Sequence, residues 1–125
     1  MFYFSKEDII YLHTKLIIKF GGEDGIRDEG ILDLVMNNPL QTFDFKDLYP
    51  STIDKIARLS FGLVMNHPFI DGNKRIAAKV LDIGLYANGL TLKATNEDLI
   101  NAFLKLASNN MNYQEFLEWV KSMIK

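Results

Sequence analysis

Cysteine is absent from the chain and histidine occurs only twice, so no disulfide framework can form and a zinc centre has too few of its usual ligands. That composition is permitted by a reducing compartment, and the cytoplasm is the expected location. No run of about 18 apolar residues occurs, and the start, Met1-Phe2-Tyr3-Phe4-Ser5-Lys6-Glu7-Asp8, has no basic region ahead of an apolar stretch. The chain is therefore expected neither to be exported by such a leader nor to span a membrane. An excess of one charge is missing too: 14 Lys and Arg stand against 16 Asp and Glu, for a formal net charge of −2. No basic cluster is longer than Lys74-Arg75, which argues against nucleic acid as the main partner, since a phosphate backbone requires a basic face.

What is present is enough apolar material for a core. With 125 residues, 48% of them hydrophobic, the chain is sized for one domain spanning 1–125, and such a domain buries roughly two-thirds of the surface its unfolded form exposes. Ser5, ahead of Lys6, Glu7 and Asp8, reads as an N-cap, and Ile9, Ile10, Leu12, Leu16, Ile17 and Phe20 recur at helical spacing until Gly21-Gly22. Asp28 caps a second helix that stops at Asn37-Asn38-Pro39. A third starts near Pro50-Ser51 and carries Ile53, Ile56, Leu59, Leu63 and Val64 to Asn66. A fourth begins around Asn73 and runs through Ile76, Val80, Leu81 and Leu85 to Asn88-Gly89. Thr95 caps a fifth, with Glu97 and Asp98 in its first turn, and Asn112 with Glu115 starts a sixth. These signals predict a single all-α bundle of about six helices. Only Gln41 to Tyr49 breaks the rhythm: Phe43 and Phe45 alternate with Thr42, Asp44 and Lys46 at period two, which fits a short extended segment or a loop pinned by two aromatics.

The chemistry concentrates in His67-Pro68-Phe69-Ile70-Asp71-Gly72-Asn73-Lys74-Arg75, between the third and fourth helices. Pro68 cannot continue the third helix, so His67 falls at a helix end with its imidazole free to face a cleft. Gly72-Asn73 opens the fourth helix, whose first N–H groups lack intrahelical partners and carry the positive end of the dipole, a natural anion site. Lys74 and Arg75 work against that dipole unless an anion is bound. Asp71 lies beside the same helix start, and Mg²⁺ is usually held by one or two carboxylates together with phosphates and water. Taken singly, His67 reads equally as a helix cap, Asp71-Gly72 as a turn, and Lys74-Arg75 as a solvated face. Six specified positions together, each at a background of roughly one in twenty, coincide by chance in a chain of this length only about a few times per million.

The segment resembles the Fic motif, His-x-Phe-x-Asp/Glu-Gly-Asn-x-Arg, and specifically its Doc (death-on-curing) branch, in which Lys follows the Asn. The similarity extends from about Tyr11-Leu12-His13 through Gly25-Ile26-Arg27-Asp28 to Gly89-Leu90. The resemblance implies that His67 is the general base taking the proton from a target hydroxyl and that Asp71 binds Mg²⁺. It implies further that Gly72, Asn73 and Lys74 form the anion hole, that Arg75 holds another phosphate of ATP, and that Phe69 fills the core beneath the loop. The expected activity is that of a toxin which phosphorylates a Ser or Thr hydroxyl of a host protein, with translation machinery as target class and elongation factor Tu in particular. In the nucleotidyl-transferring branch the Lys74 position is Gly. AMP transfer is thus one alternative, and an inactive helical interaction module is the other; the intact His67, Asp71, Asn73 and Arg75 count against the latter.

Elsewhere the signals are plainer. His13 falls between Leu12 and Leu16 on an apolar face and reads as a core residue. Gly21-Gly22-Glu23-Asp24-Gly25 looks like a phosphate loop, but its two acids would repel the ligand and no Lys-Ser/Thr follows, so it reads as a helix stop and turn. Arg27 precedes a helix and receives no role. No Ser or Thr is followed four residues later by Glu and then Gly or Asn, the pattern of the inhibitory helix that many Fic proteins carry internally, so restraint is expected from an antitoxin in trans, docking as a helix in a groove near the motif. Thr42 to Leu48 is expected to act as a flap that aligns the target segment as an added strand.

Overall fold

The computed structural model describes residues 1–125. Six helices form where local chemistry permits: α1 Lys6–Phe20, α2 Glu29–Asn37, α3 Thr52–Asn66, α4 Asn73–Ala87, α5 Asn96–Ala107 and α6 Tyr113–Ser122. Capping side chains set most of the starts. Ser5, Thr95 and Asn112 each accept from the third helical N–H while Asp8, Asp98 and Glu115 reach back to the cap, and Asp28 and Ser51 cap α2 and α3 in the simpler way. After α2 the chain tightens into one 3-10 turn, Asn38–Leu40, with Pro39 in its opening positions. No helix is long and apolar enough to cross a membrane.

The central element is α3, which buries Ile56, Ala57, Leu59, Leu63 and Val64 and packs most extensively against α4. That pair sits close because Gly84 of α4 has no side chain: a Cβ there would stand 2.9 Å from Ile56. Buried Ser60 donates to the Ala77 carbonyl at 2.9 Å across the same seam. One cluster of 23 buried apolar residues draws on all six helices together with Phe4 and Phe69. Near the termini, Tyr3 donates to the Met36 carbonyl at 2.8 Å, and Lys93 and Lys125 pair the chain end with the segment after α4.

The stretch ahead of α3 is a hairpin of two short strands, β1 Thr42–Phe43 and β2 Lys46–Asp47. Its tip residues Asp44 and Phe45 both have positive φ, 52° and 64°, the turn sense that matches strand twist. Of the two sequence readings, the extended one holds, but as a folded-back pair. The aromatics pin nothing: Phe43 and Phe45 stand in solvent. The anchor is Lys55 of α3, buried, which binds the Asp47 carboxylate at 3.0 Å and the Tyr49 carbonyl.

Candidate active site

The six residues 67–72 that join α3 to α4 are held in place chiefly by the loop between α1 and α2. Pro68 accepts from the N–H groups of Arg27 (2.8 Å) and Asp28 (3.2 Å), and Ile70 donates to the Gly25 carbonyl (3.1 Å), so Gly25–Asp28 runs beside Pro68–Ile70 like a short strand. Beneath it, Phe69 is buried and stacks face to face on buried His13, with centroids 3.8 Å apart. Removing a ring so enclosed costs about 3–5 kcal/mol. His13 Nε2 lies 2.6 Å from the Asp71 carbonyl oxygen, which only accepts, so Nε2 carries a hydrogen and donates it there. Its Nδ1 lies 3.3 Å from the Asp24 carboxylate.

Asn73 closes the loop from the other end. Its side-chain oxygen accepts from the Phe69 N–H and its amide donates to the Phe69 carbonyl, both at 3.0 Å. That side chain is buried and turned to the Phe69 backbone through both its oxygen and its nitrogen, so the group it offers at the helix start is its backbone. Gly72 sits where glycine is favoured: φ is +78°, and a Cβ would also stand tightly against the Ile17 side chain at 3.3 Å.

At the start of α4 no side chain caps the backbone and no acid occupies the first turn, whereas every other α-helix has both a capping side chain and a first-turn acid. In their place stand Lys74 and Arg75, both exposed. Their charges oppose the dipole and the free N–H groups point outward, an arrangement favourable to an anion. His67, Asp71, Gly72, Asn73, Lys74 and Arg75 all line one open cleft of about 450 Å³, together with Gly21, Gly22 and Ile70. The site residues named from the sequence therefore converge. His67 is exposed and ends α3 in the left-handed region, φ 46° and ψ 60°. Asp71 spends one oxygen, Oδ2, on the Glu23 N–H at 2.8 Å, leaving Oδ1 for another partner. No group of three or more His, Asp or Glu gathers anywhere as a metal cage. One free carboxylate oxygen beside an anion site suits Mg²⁺ that arrives with phosphates, rather than a metal held by protein alone.

Several contributors were not legible beforehand. The Gly21-Gly25 turn, read as a helix stop, does stop α1, yet it also walls the cleft and holds Asp71 through the Glu23 amide. Backbone donors leave no side-chain signature, so nothing in the pattern pointed there. His13 is a core residue as read, and in addition fastens the Asp71 carbonyl. Phe20, counted with the apolar stripe of the first helix, is instead half exposed, with the Arg75 guanidinium over its ring at 4.6 Å.

A second groove of about 790 Å³ runs from Lys74 and Arg75 along α4 between α1 and α5, with Leu16, Leu99 and Phe103 among its apolar residues and Lys19 and Lys79 beside it. Two comparisons bear on the whole arrangement. The model of the Fic/DOC family matches residues 3–85, which include the full motif and the α1–α2 loop. A protein of Mycolicibacterium smegmatis called Toxin Doc is 39% identical over 104 residues, covering 79% of this chain and 78% of that one.

Proposed function

The chain belongs to the Fic/DOC family, and from that premise we propose that it is a Doc-like toxin transferring the γ-phosphate of ATP to a Ser or Thr hydroxyl of a host protein. The carrying observation is the uncapped start of α4, with Lys74 and Arg75 in its first turn, sharing one cleft with exposed His67. His67 takes the proton as the target hydroxyl oxygen attacks the γ-phosphorus; the bond to the bridging oxygen breaks and ADP leaves. The backbone at Gly72, Asn73 and Lys74 cradles the transferred group, and Arg75 holds a second phosphate. Asp71 Oδ1 is the ligand offered to Mg²⁺, which when bound neutralises phosphate charge. Base catalysis supplies about 10²–10⁴-fold, and positioning and charge stabilisation supply the larger share.

Lys74 favours phosphoryl over AMP transfer. Its side chain narrows the path across the helix start and puts a positive charge where a terminal phosphate fits. Partners follow from the same reading. The target class is translation machinery, with elongation factor Tu the first candidate, and an antitoxin in trans lays a helix in the groove beside Lys74 and Arg75, whose lining is mainly apolar with several cations and one acid, Asp82. The hairpin serves as the flap: each strand of a two-stranded sheet keeps one unpaired edge, to which a target segment can add.

The deciding experiment incubates the purified chain with bacterial lysate, Mg²⁺ and ATP labelled at either the α or the γ position. Label from the γ position alone, with a phosphoryl mass increment on the intact target, is the expected result. An adenylyl increment would sink the phosphotransfer reading in favour of AMP transfer.

A further inference from the structure

We infer that Arg27 is the positioning residue for His67. The last carbonyls of a helix have no intrahelical partners, and a cation there also complements the negative end of the dipole. No basic residue occupies the last turn of α3. Arg27, in the strand-like stretch paired with Pro68, supplies the charge from outside. Its Nε donates to the His67 carbonyl at 2.6 Å and its Nη2 to the Asn66 carbonyl at 2.9 Å, while its own N–H donates to the Pro68 carbonyl at 2.8 Å.

Three consecutive carbonyls are thus held by one residue, and they bracket the peptide that sets the direction of the His67 side chain. That peptide needs holding, because His67 adopts a left-handed conformation that a non-glycine residue sustains only where its surroundings over-determine it. A planar guanidinium reaches two carbonyls at a fixed spacing, which a lysine ammonium on a single stem does not reproduce. Arg27 touches no reacting atom in this scheme; it acts through the backbone of His67.

The inference rests on His67 being the base, and the test keeps the two apart. Arg27→Gln and Arg27→Lys are compared with the unaltered chain in transfer kinetics and in the imidazole Cε1–H NMR spectrum, which holds two signals because the chain has two histidines. In Arg27→Gln, kcat should fall by about 100-fold, the scale of a misplacement near 1 Å, with the KM for ATP and for target held within about twofold. Arg27→Lys should recover part of the loss. The His67 signal should shift while the His13 signal stays. An unmoved His67 signal overturns the inference, as does a rise in target KM with kcat kept, which would make Arg27 a substrate contact. Movement of both signals with a collapsed melting transition would make it a general fold residue and overturn it equally. His67→Ala run alongside judges the base assignment on its own: if that chain keeps transfer, the base reading fails, and the imidazole signal still decides whether Arg27 holds His67.

Discussion

His67 packs against little, so its replacement separates chemistry from folding. His67→Ala is expected to abolish growth arrest on expression while shifting the melting temperature by less than about 4 °C, as surface changes generally do. An altered chain that still arrests cells as strongly would refute the base role. A change at Lys74 tests which of the two transfer chemistries operates. Lys74→Gly should lower phosphoryl transfer to the target, read by intact mass, at a helix cost of no more than about 1 kcal/mol. Unchanged phosphorylation would mean that the charge at this position does not select the terminal phosphate.

The hairpin and α6 show how elements divide their tasks. Lys55 anchors the hairpin at Asp47 and Tyr49, while Phe43 and Phe45 project from its far end into solvent. Replacing both phenylalanines with serine should therefore raise the KM for target several-fold and leave ATP binding and melting unchanged; equal loss of ATP affinity would point to unfolding. The start of α6 is tied to α3 through Tyr113, whose hydroxyl binds the Asp54 carboxylate and its carbonyl at 3.0 Å. Burial, and then that hydrogen bond, push the Tyr113 phenol well above its ordinary value of 10.0, and burial does the same to Tyr3. Groups raised in the folded state contribute stability that is complete below the unfolded value and is lost as pH climbs towards the folded one. Denaturant unfolding should accordingly show no Tyr113 or Tyr3 contribution to the pH slope below about pH 9 and a decline above about pH 10. Tyr113→Phe should make the alkaline decline shallower, at a cost of about 1.5–3 kcal/mol at neutral pH for the lost hydrogen bond to a carboxylate.

Anion binding couples to the stability of the entire chain. With two cations and no cap at the start of α4, the dipole and the side chains oppose one another there, a cost that a phosphate bound at that point would remove. Saturating ATP with Mg²⁺, at a hundredfold excess over Kd, should raise the melting temperature by on the order of 10 °C. Arg75→Ala should cut that rise at the same ATP concentration. An unchanged melting temperature with ATP would remove the helix start as its site.

Helix limits, caps and the motif were readable in advance because their causes are local. Ser5, Asp28, Ser51, Thr95 and Asn112 each accept from an N–H three residues on, and the apolar stripes repeat within a turn or two. The hairpin was half readable: period two left extended backbone and a loop as alternatives, and the positive φ at Asp44 and Phe45 that folds the chain back has no glycine or asparagine to announce it. The frame around the motif was not readable. Arg27 meets Asn66 and His67 across 39 and 40 positions, Glu23 meets Asp71 across 48, and His13 meets Asp71 across 58. Each contact uses a backbone N–H or C=O on at least one side, and those groups are chemically alike at nearly every position. Which of them meet depends on how α1 and the loop after it cross the α3–α4 pair, a matter of packing a shared core rather than of any neighbouring residue.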